Sequence, residues 1–493
     1  MANSQEDIER EVPRHKRGLL RNTSIVLLGT VVAQGISLLA IPFLARIYSP
    51  YAFGLWAIFQ TALTFFAIAA TLRFELVIIT AKTEAESVNA CALVCCASVI
   101  VSFVVTVAVF LWGNSLASAF GIGKQGWILW LFPPEALVQG LTPAAVYWWF
   151  RHHDYMSNST YRIVLNSVTV AIQAAVGLWL IEKNDYGLAV GTIVGQFVVG
   201  GAAFSYLLAT QWSSYPEMWS FSRIWQLAKA NKGYPLYSGP AVIIEQLYAQ
   251  MMPILLTYWF SASVTGHFFL ALRICGNPFF LISGAISQAF LPTMARAASD
   301  LSRLGPLISR VCTYLVLLGM PIVVELALHA GTIFLTLFGT RWTGIADYVV
   351  PLVMTYPLLA AVSWISRIYD VAQRQSLNLL LAIAMNILAV GGSLAGKWWA
   401  GDPSAVLFGF GAGLVVGHIL WVMAAMHVGG IKQAALLRPA AAIVLSGGAI
   451  LAVDLAMSSL FHDWWLALSL APFAAVYYAA IGVRIFQYRR RVA

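Results

Sequence analysis

Apolar segments about as long as a bilayer is thick follow one another along almost the whole chain, and this pattern limits the possible folds more than any other feature. A helix needs roughly 20 mostly apolar residues to cross the hydrocarbon core. Only 10% of the residues are charged and 60% are hydrophobic, whereas soluble domains carry about 25% charged residues. No soluble fold could bury that much apolar surface, so the sequence predicts an integral membrane protein.

About fourteen segments of this kind can be recognised, and together they predict an all-α integral membrane protein. The fourth segment is interrupted by Pro133, Pro134 and Pro143, so we expect a broken or tilted helix there. The predicted spans cover residues 23–45, 53–72, 88–112, 126–149, 163–181, 187–209, 236–260, 267–291, 311–338, 347–369, 377–396, 403–427, 439–458 and 464–485.

The basic residues are divided so unevenly between the two sides of these spans that they predict an orientation. Most of the 29 Lys and Arg residues lie in connecting segments on the side of the N-terminus. The opposite side holds only Arg46, Lys124, Lys183, Arg341 and Lys397. Because basic residues are concentrated in cytosolic loops, both termini are predicted to be cytosolic. The net charge of +9 therefore indicates membrane topology rather than binding to nucleic acid.

A weak internal repeat predicts two six-helix lobes followed by two further helices. Gln34 stands eight residues before Pro42 in the first span, and Glu245 stands eight residues before Pro253 in the seventh. Such repeats are common in transporters. The predicted organisation is a cytosolic tail at 1–21, an N-terminal lobe at 22–210, a cytosolic or interfacial linker at 211–235, a C-terminal lobe at 236–428, and two helices with a basic tail at 429–493.

Ionisable side chains inside the predicted spans are the first candidates for function, because a charge in the membrane usually faces a bundle interior or water. Arg273 either snorkels toward the interface or lines a cavity, where its guanidinium could grip phosphate oxygens at two points. Glu245 and Tyr248 point the same way on a helix that Pro253 is expected to kink. They either line a cavity or join helices through hydrogen bonds.

Two further carboxylates are candidates for coupling transport to an ion. Glu325 lies in the middle of a span, where it could carry a proton or pair with a basic residue of a neighbouring helix. Glu135 follows two prolines that disturb the helix, so water could reach it. The histidines show no metal-ligand spacing, and no glycine-rich nucleotide-binding loop is present in the sequence. We therefore expect no catalytic residues, no metal, no cofactor and no ATP hydrolysis.

The hairpin from Gln34 to Glu75 contains the motifs ARIYSPYAFGLWAIFQ and ATLRFELVIITA. The segment AKANKGYPLYSGP precedes the seventh span, and ISQAFLPTMARA ends the eighth. Together these motifs resemble polysaccharide flippases of the Wzx type, which handle O-antigen and exopolysaccharide precursors. These flippases share a superfamily with lipid II flippases and multidrug extruders. The likeness covers roughly residues 20–300, and the remainder resembles the family only in its number of helices.

The resemblance implies a V of two six-helix lobes that moves an undecaprenyl-pyrophosphate-linked oligosaccharide across the bacterial inner membrane by alternating access. The implied partners are this lipid-linked substrate, membrane lipid, and a polymerase with export machinery. Related flippases carry cavity arginines on helices 1, 2 and 8, and by position Arg46, Arg73 and Arg273 are the candidates here. Gln34, which shares a polar face of the first span with Ser37, either offers an amide partner to a passing sugar or joins helices through hydrogen bonds. Because Arg46 is predicted outside and Arg73 inside, these two are interpreted as gate and hinge elements at opposite mouths of a cavity.

Four other functions remain open at this stage. Fourteen spans are also typical of lipid II flippases, and a protein of that class would transport a different glycan. A cation-coupled multidrug antiporter would be expected to cluster its acids on one cavity face, whereas Glu135, Glu245 and Glu325 are dispersed. A membrane enzyme such as a polysaccharide polymerase would need a long outer loop, and a structural subunit of a larger assembly would need no polar cavity.

Overall fold

The structure is a computed structural model in which every regular element of the described residues is helical. It describes residues 25–26, 28–119, 123–179, 185–210, 220–276, 279, 283, 286, 294, 297, 300–356, 358–359 and 364–458. The α-helices are α1 Leu28–Ile47, α2 Pro50–Ala70, α3 Glu75–Thr80, α4 Glu84–Ala119, α5 Phe132–Arg151, α6 Tyr155–Trp179, α7 Gly187–Thr210, α8 Phe221–Ala230, α9 Gly239–Trp259, α10 Ala262–Ala271, α11 Gly305–Phe338, α12 Ala346–Val353, α13 Arg367–Val371, α14 Gln375–Trp399, α15 Pro403–Val428 and α16 Leu437–Ser458. The predicted all-α membrane fold is confirmed.

Nine helices within the described ranges are long and apolar enough to cross a membrane: α1, α2, α4, α6, α7, α11, α14, α15 and α16. The predicted fourth span is broken, because a 3₁₀ helix at Gly123–Leu131 precedes α5 and Pro143 lies within α5. Parts of the predicted eighth and tenth spans, and the whole fourteenth, lie outside the described residues. Large apolar side chains such as Phe103 and Phe110 are exposed on α4, as expected of a multi-pass protein whose solvent is lipid.

The described helices form two compact units. The first contains the chain up to Ile243 together with Pro253–Ser263, and the second contains Ile244–Met252 and the chain from Val264 onward. Helix α9 therefore contributes residues to both units.

The first unit is built around the turn between α1 and α2. Tyr48 is buried in this turn, and its hydroxyl donates a 2.7 Å hydrogen bond to the carbonyl of Gln173 on α6. Gly177 and Gly187 leave the space for its ring, because a Cβ at either position would lie within 3 Å of ring or hydroxyl atoms. Ser49 then caps α2 by accepting the N–H of Ala52 at 3.2 Å, which is the usual role of an N-cap serine.

Close approach of α14 and α15 organises part of the second unit. A Cβ at Gly392 would lie 2.0 Å from the carbonyl oxygen of Gly409, and the converse distance is the same. Small residues commonly let helix backbones approach closely in membranes. Helix α15 begins at an N-cap, Asp402, whose carboxylate accepts the N–H of Ala405 at 2.8 Å. This bond lowers the pKa of the Asp402 carboxyl.

We predict that Gly392→Ala destabilises the protein, because the added methyl group would collide with the α15 backbone. The expected cost is about 1–3 kcal/mol, the usual range for overpacking. Gly391→Ala is the matched control, since a Cβ there has nothing within 4 Å. Thermal unfolding in detergent measures both variants. An equal melting temperature for the two would contradict this packing.

Candidate functional site

The chain reverses sharply between α2 and α3, in a left-handed turn that carries one of the predicted arginines. Leu72 has a φ of 49° and Arg73 a φ of 63°, a region that costs a non-glycine residue roughly 1–3 kcal/mol. The Thr71 hydroxyl accepts the Arg73 N–H at 3.2 Å, and the Thr71 carbonyl accepts the N–H of Phe74 at 3.0 Å. The strained turn thus holds the arginine at a defined place.

An ion pair joins the two charged residues of this turn. Nη1 of Arg73 lies 2.9 Å from Oε1 of Glu75, and the two side chains are 23% and 4% exposed. The second carboxylate oxygen of Glu75 and Nε of Arg73 are buried without a hydrogen-bond partner. A buried carboxylate without a partner is costly, so the ionised form of Glu75 needs the positive charge of Arg73. Each of the two side chains still has one polar atom that could form a further hydrogen bond.

A second arginine and a tyrosine lie beside this pair. Tyr147 of α5 interacts electrostatically with Glu75, Arg73 and Arg162. Arg162 is half-buried on α6, where its Nε donates a 2.9 Å hydrogen bond to Oδ1 of the fully buried Asn158. Tyr147 is thus within electrostatic range of Arg73, Glu75 and Arg162, and we call these four residues the arginine cluster. Tyr147 and Arg162 were not predicted as site residues from sequence.

The far end of α3 is held by another arginine. Nη1 of Arg151 donates to the carbonyl oxygens of Ile78 and Ala81 at 3.1 and 2.8 Å. Basic side chains at a helix C-terminus satisfy carbonyls that have no partner within the helix. Arg151 and His152 also lie 3.5 Å from the carboxylate of Glu84. Helix α3 is thus fixed by Arg73 and Glu75 at its start and by Arg151 at its end.

Glu135, a predicted coupling residue, is fully buried in the first turn of α5. Its Oε1 accepts a 3.0 Å hydrogen bond from Nε2 of Gln139, which also lies 2.7 Å from Oε1 of Gln196 on α7. The other carboxyl oxygen, Oε2, is buried without a partner. Among the ion pairs of the described residues, none involves Glu135. This is a carboxyl group with amide partners only, in a place where an unpaired charge is costly.

The other predicted site residues are distributed over both units. Gln34 and Arg46 are exposed on α1. In the second unit, the Arg273 guanidinium lies 4.8 Å from the ring centroid of Phe269, in a π-helical turn at Leu272–Gly276. Glu325 is half-buried in α11.

The side chains of Glu245 and Tyr248 on α9 lie outside the described part of the structure. Of the sequence-predicted residues, the structure joins Arg73 to the arginine cluster and places Glu135 in the same unit. The roles of all of them stay predictions.

Residues 43–347, more than half of the chain, match the family model described as "Polysaccharide biosynthesis protein". The chain belongs to this family. The resemblance that the N-terminal motifs indicated is therefore confirmed at the level of the family, whereas the transported molecule is not fixed by membership. None of the curated proteins matches the chain in sequence.

Solved structures show the same fold at low sequence identity. The chain is similar to "Lipid II flippase MurJ, inward closed conformation", with a TM-score of 0.74, 11% identity, and coverage of 95% of this chain and 99% of that one. It is also similar to an inward-facing multidrug resistance MATE family transporter of the MOP superfamily, with a TM-score of 0.64, 14% identity, and coverage of 84% and 98%. The MATE multidrug transporter DinF-BH gives a TM-score of 0.56, 16% identity, and coverage of 84% and 97%.

We predict that Arg151→Gln loosens α3, because two backbone carbonyls lose their charged donor. Hydrogen bonds to charged groups contribute about 1.5–3 kcal/mol, so the melting temperature should fall by several degrees. Lys82→Gln removes one positive charge from a neighbouring exposed side chain and serves as the control. Hydrogen exchange over residues 75–81 should increase in Arg151→Gln alone. Unchanged exchange in this segment would contradict the anchoring role.

Proposed function

We propose that this protein is a flippase that moves an undecaprenyl-pyrophosphate-linked oligosaccharide across the bacterial inner membrane by alternating access. Membership of the polysaccharide biosynthesis family supports the pathway, and the fold shared with a lipid II flippase supports the mode of transport. The observation that carries the proposal is the arginine cluster. Such a protein performs no covalent chemistry, and its termini face the cytosol as the distribution of basic residues predicts.

The arginine cluster has the chemistry that a pyrophosphate needs. Guanidinium groups are planar and can bind two phosphate oxygens at once, and charge-assisted bonds of this kind are stronger than neutral ones. Arg162 is half-buried and held from one side by Asn158, which leaves its terminal nitrogens for a ligand. Glu75 orients Arg73 and balances part of the positive charge. A pyrophosphate arriving here would complete the partners of Arg73 and could accept a bond from Tyr147.

In the second unit we propose Arg273 as a further anion ligand, and we propose Glu245 and Tyr248 of α9 as additional substrate-binding residues. Stacking on Phe269 keeps the guanidinium plane fixed, which reduces the entropy lost when it binds a phosphate. We propose that Gln34 binds sugar hydroxyls and that Arg46 acts as a gate or hinge element on the outer side of the membrane, opposite Arg73. A polymerase and export machinery are the proposed partners downstream, because a lipid-linked repeat must be polymerised after it has crossed.

We propose Glu135 as the carboxylate that couples transport to protons, with Glu325 as the second candidate. A group that is buried beside two amides and lacks a cation can lose or gain a proton when its access to water changes. Glu135 is fully buried at the start of α5, after a 3₁₀ helix, so we propose that water reaches it only when the conformation changes. The rocking of two bundles in alternating access would change this access.

A lipid II flippase is the second candidate, because its substrate presents the same pyrophosphate to the same cluster. The family favours a polysaccharide precursor, and the fold accommodates either. Competition decides between them: purified protein should flip a labelled undecaprenyl-pyrophosphate oligosaccharide, and unlabelled lipid II should inhibit poorly. Inhibition by lipid II at equal concentration would reverse the assignment of the glycan.

We predict that Arg162→Gln lowers flipping at least tenfold, since a lost charge-assisted contact is worth about 1.5–3 kcal/mol. Arg162→Lys should restore little, because lysine cannot bind two oxygens in the same plane. The rate is measured in proteoliposomes with a fluorescent lipid-linked oligosaccharide and an impermeant quencher. Lys82→Gln should behave as wild type. Full activity of the Arg73→Gln, Arg162→Gln double variant would exclude the cluster from substrate binding.

We predict that Glu135→Gln abolishes the response of flipping to a pH gradient, because glutamine is fixed in the form of the uncharged acid. Wild-type flipping should rise several-fold when a gradient is imposed across the proteoliposomes, whereas the variant should stay at its basal rate. Glu325→Gln is measured beside it. If only Glu325→Gln loses the response to the pH gradient, the coupling site is Glu325.

A further inference from the structure

His152, directly after α5, has a ring whose two nitrogens both face oxygen acceptors. Its Nδ1 lies 3.0 Å from the carbonyl oxygen of Trp148, and its Nε2 lies 3.5 Å from Oε2 of Glu84, in the first turn of α4. The ring stacks on that of Trp148, with centroids 4.5 Å apart. Carbonyl and carboxylate oxygens only accept hydrogen bonds, so an imidazole satisfies both of them only when it carries two protons.

The neutral form of this ring can satisfy one of the two oxygens. Because a carbonyl only accepts, the 3.0 Å contact with Trp148 places the single proton of a neutral ring on Nδ1. Nε2 then presents a lone pair to Oε2 of Glu84, an atom that is buried without a hydrogen-bond partner. Their separation of 3.5 Å exceeds the range of about 2.7–3.2 Å for an N–H···O bond. A proton on Nε2 would supply the donor that Oε2 lacks.

The Glu84 carboxylate also connects this histidine to the arginine that holds α3. Its other oxygen, Oε1, lies 3.5 Å from Nε of Arg151, which is likewise buried without a hydrogen-bond partner. Nη1 of the same arginine donates to the carbonyls that end α3. The end of α3, the start of α4 and the end of α5 therefore meet at one carboxylate, and both of its contacts are longer than hydrogen bonds.

Other ionisable side chains of the surrounding segments have different contacts. Those with a partner of their own are Glu75 with Arg73, Glu86 with the N–H of Lys82, His153 with the Tyr155 hydroxyl, Asp154 with the N–H of Ser157, Arg162 with Asn158, and Lys229 with the Trp225 ring. The side chains of Lys82 and Arg223 are exposed. Cys91 lies within electrostatic range of Glu84 and Arg151, and a buried thiol carries no charge near neutral pH. Of the described side chains that contact the Glu84 carboxylate, His152 is the one that changes its charge between about pH 5 and 8.

We propose that Glu84 and His152 form a proton-dependent latch between α4 and α5 on the predicted cytosolic side of the membrane. A proton on Nε2 of His152 converts the contact with Oε2 into a charge-assisted hydrogen bond. The charged ring gains a partner in the folded protein, so the bond is present at the acidic end of the range in which histidine titrates and is lost as the pH rises.

The latch would transmit cytosolic pH to the arginine cluster through α3. Arg151 holds the end of this helix and contacts Glu84, while Glu75 of the cluster is the first residue of the same helix. A closed latch fixes the carboxylate beside Arg151 and so limits the movement of α3. The bond involves neither a transported molecule nor the proposed coupling carboxylates, so it can be tested without transport.

Hydrogen exchange of the purified full-length protein in detergent measures the latch directly. Protection of residues 84–91, at the start of α4, is compared at about pH 6 and about pH 8, on either side of the usual histidine pKa, after correction for the intrinsic exchange rates. The wild type should be roughly twofold to fivefold more protected at the lower pH, the effect expected of a partly exposed ion pair. Equal corrected protection at the two pH values would overturn the proposal.

Variants assign the effect to this pair of side chains. His152→Gln should be equally protected at both pH values, because glutamine does not change its charge. Glu84→Gln should also lose the dependence, since a neutral amide can bond to either form of the ring, and it gives the answer if His152→Gln does not fold. His153→Asn is the matched control: asparagine tolerates the φ of 58° at this position, and the wild-type dependence should remain. A dependence that persists in His152→Gln or Glu84→Gln belongs to another group and would exclude the latch.

Discussion

The cost of leaving a polar group without a partner in hydrocarbon determines most of this structure. It restricts the chain to helices and leads buried hydroxyls to donate to carbonyls one turn earlier, as Ser393 does to Ala389. It also accounts for contacts between helices, such as the 2.9 Å bond from Trp56 Nε1 to Thr192 Oγ1. Oxygens of Glu75 and Glu135 depart from this rule because they are buried without a partner. Under the proposed function, a substrate would complete the partners of Glu75 and a proton those of Glu135.

The first of the motifs that indicated the family, ARIYSPYAFGLWAIFQ, encodes helix packing. In the Tyr48-Ser49-Pro50 turn, the tyrosine bonds α6, the serine caps α2, and the proline occupies the first position of α2. Gly54 has no room for a side chain, since a Cβ there would lie 1.7 Å from the carbonyl oxygen of Ala262. A signature of this kind identifies a fold because it builds the fold. It does not indicate which molecule is transported.

Hydropathy predicted the spans well because a chain of this kind must be helical in lipid, and the length of each apolar segment in the sequence gives the length of its helix. The break before α5 was also predictable, since Pro133 and Pro134 belong only at a helix start. The partners of Arg73 could not be predicted from the sequence. Arg162 is distant from Arg73 in the sequence, where it contributed only to the excess of basic residues on the predicted cytosolic side. Its spacing of four from Asn158 could have indicated a fixed guanidinium, but only the packing of α5 against α6 brings it within electrostatic range of Tyr147.

The same basic residues serve topology and chemistry, and the two roles have different geometric requirements. Orientation needs only an excess of positive charge on one side, so any surface position would suffice for Arg151, Arg162 or Arg438. The structure instead places Arg151 on the carbonyls that end α3 and the guanidinium of Arg162 on Oδ1 of Asn158. Neither position is required for insertion, and each limits the side chain's freedom. A cation that loses this freedom must gain a contact in return, and the contacts are backbone carbonyls for Arg151 and a side-chain amide oxygen for Arg162.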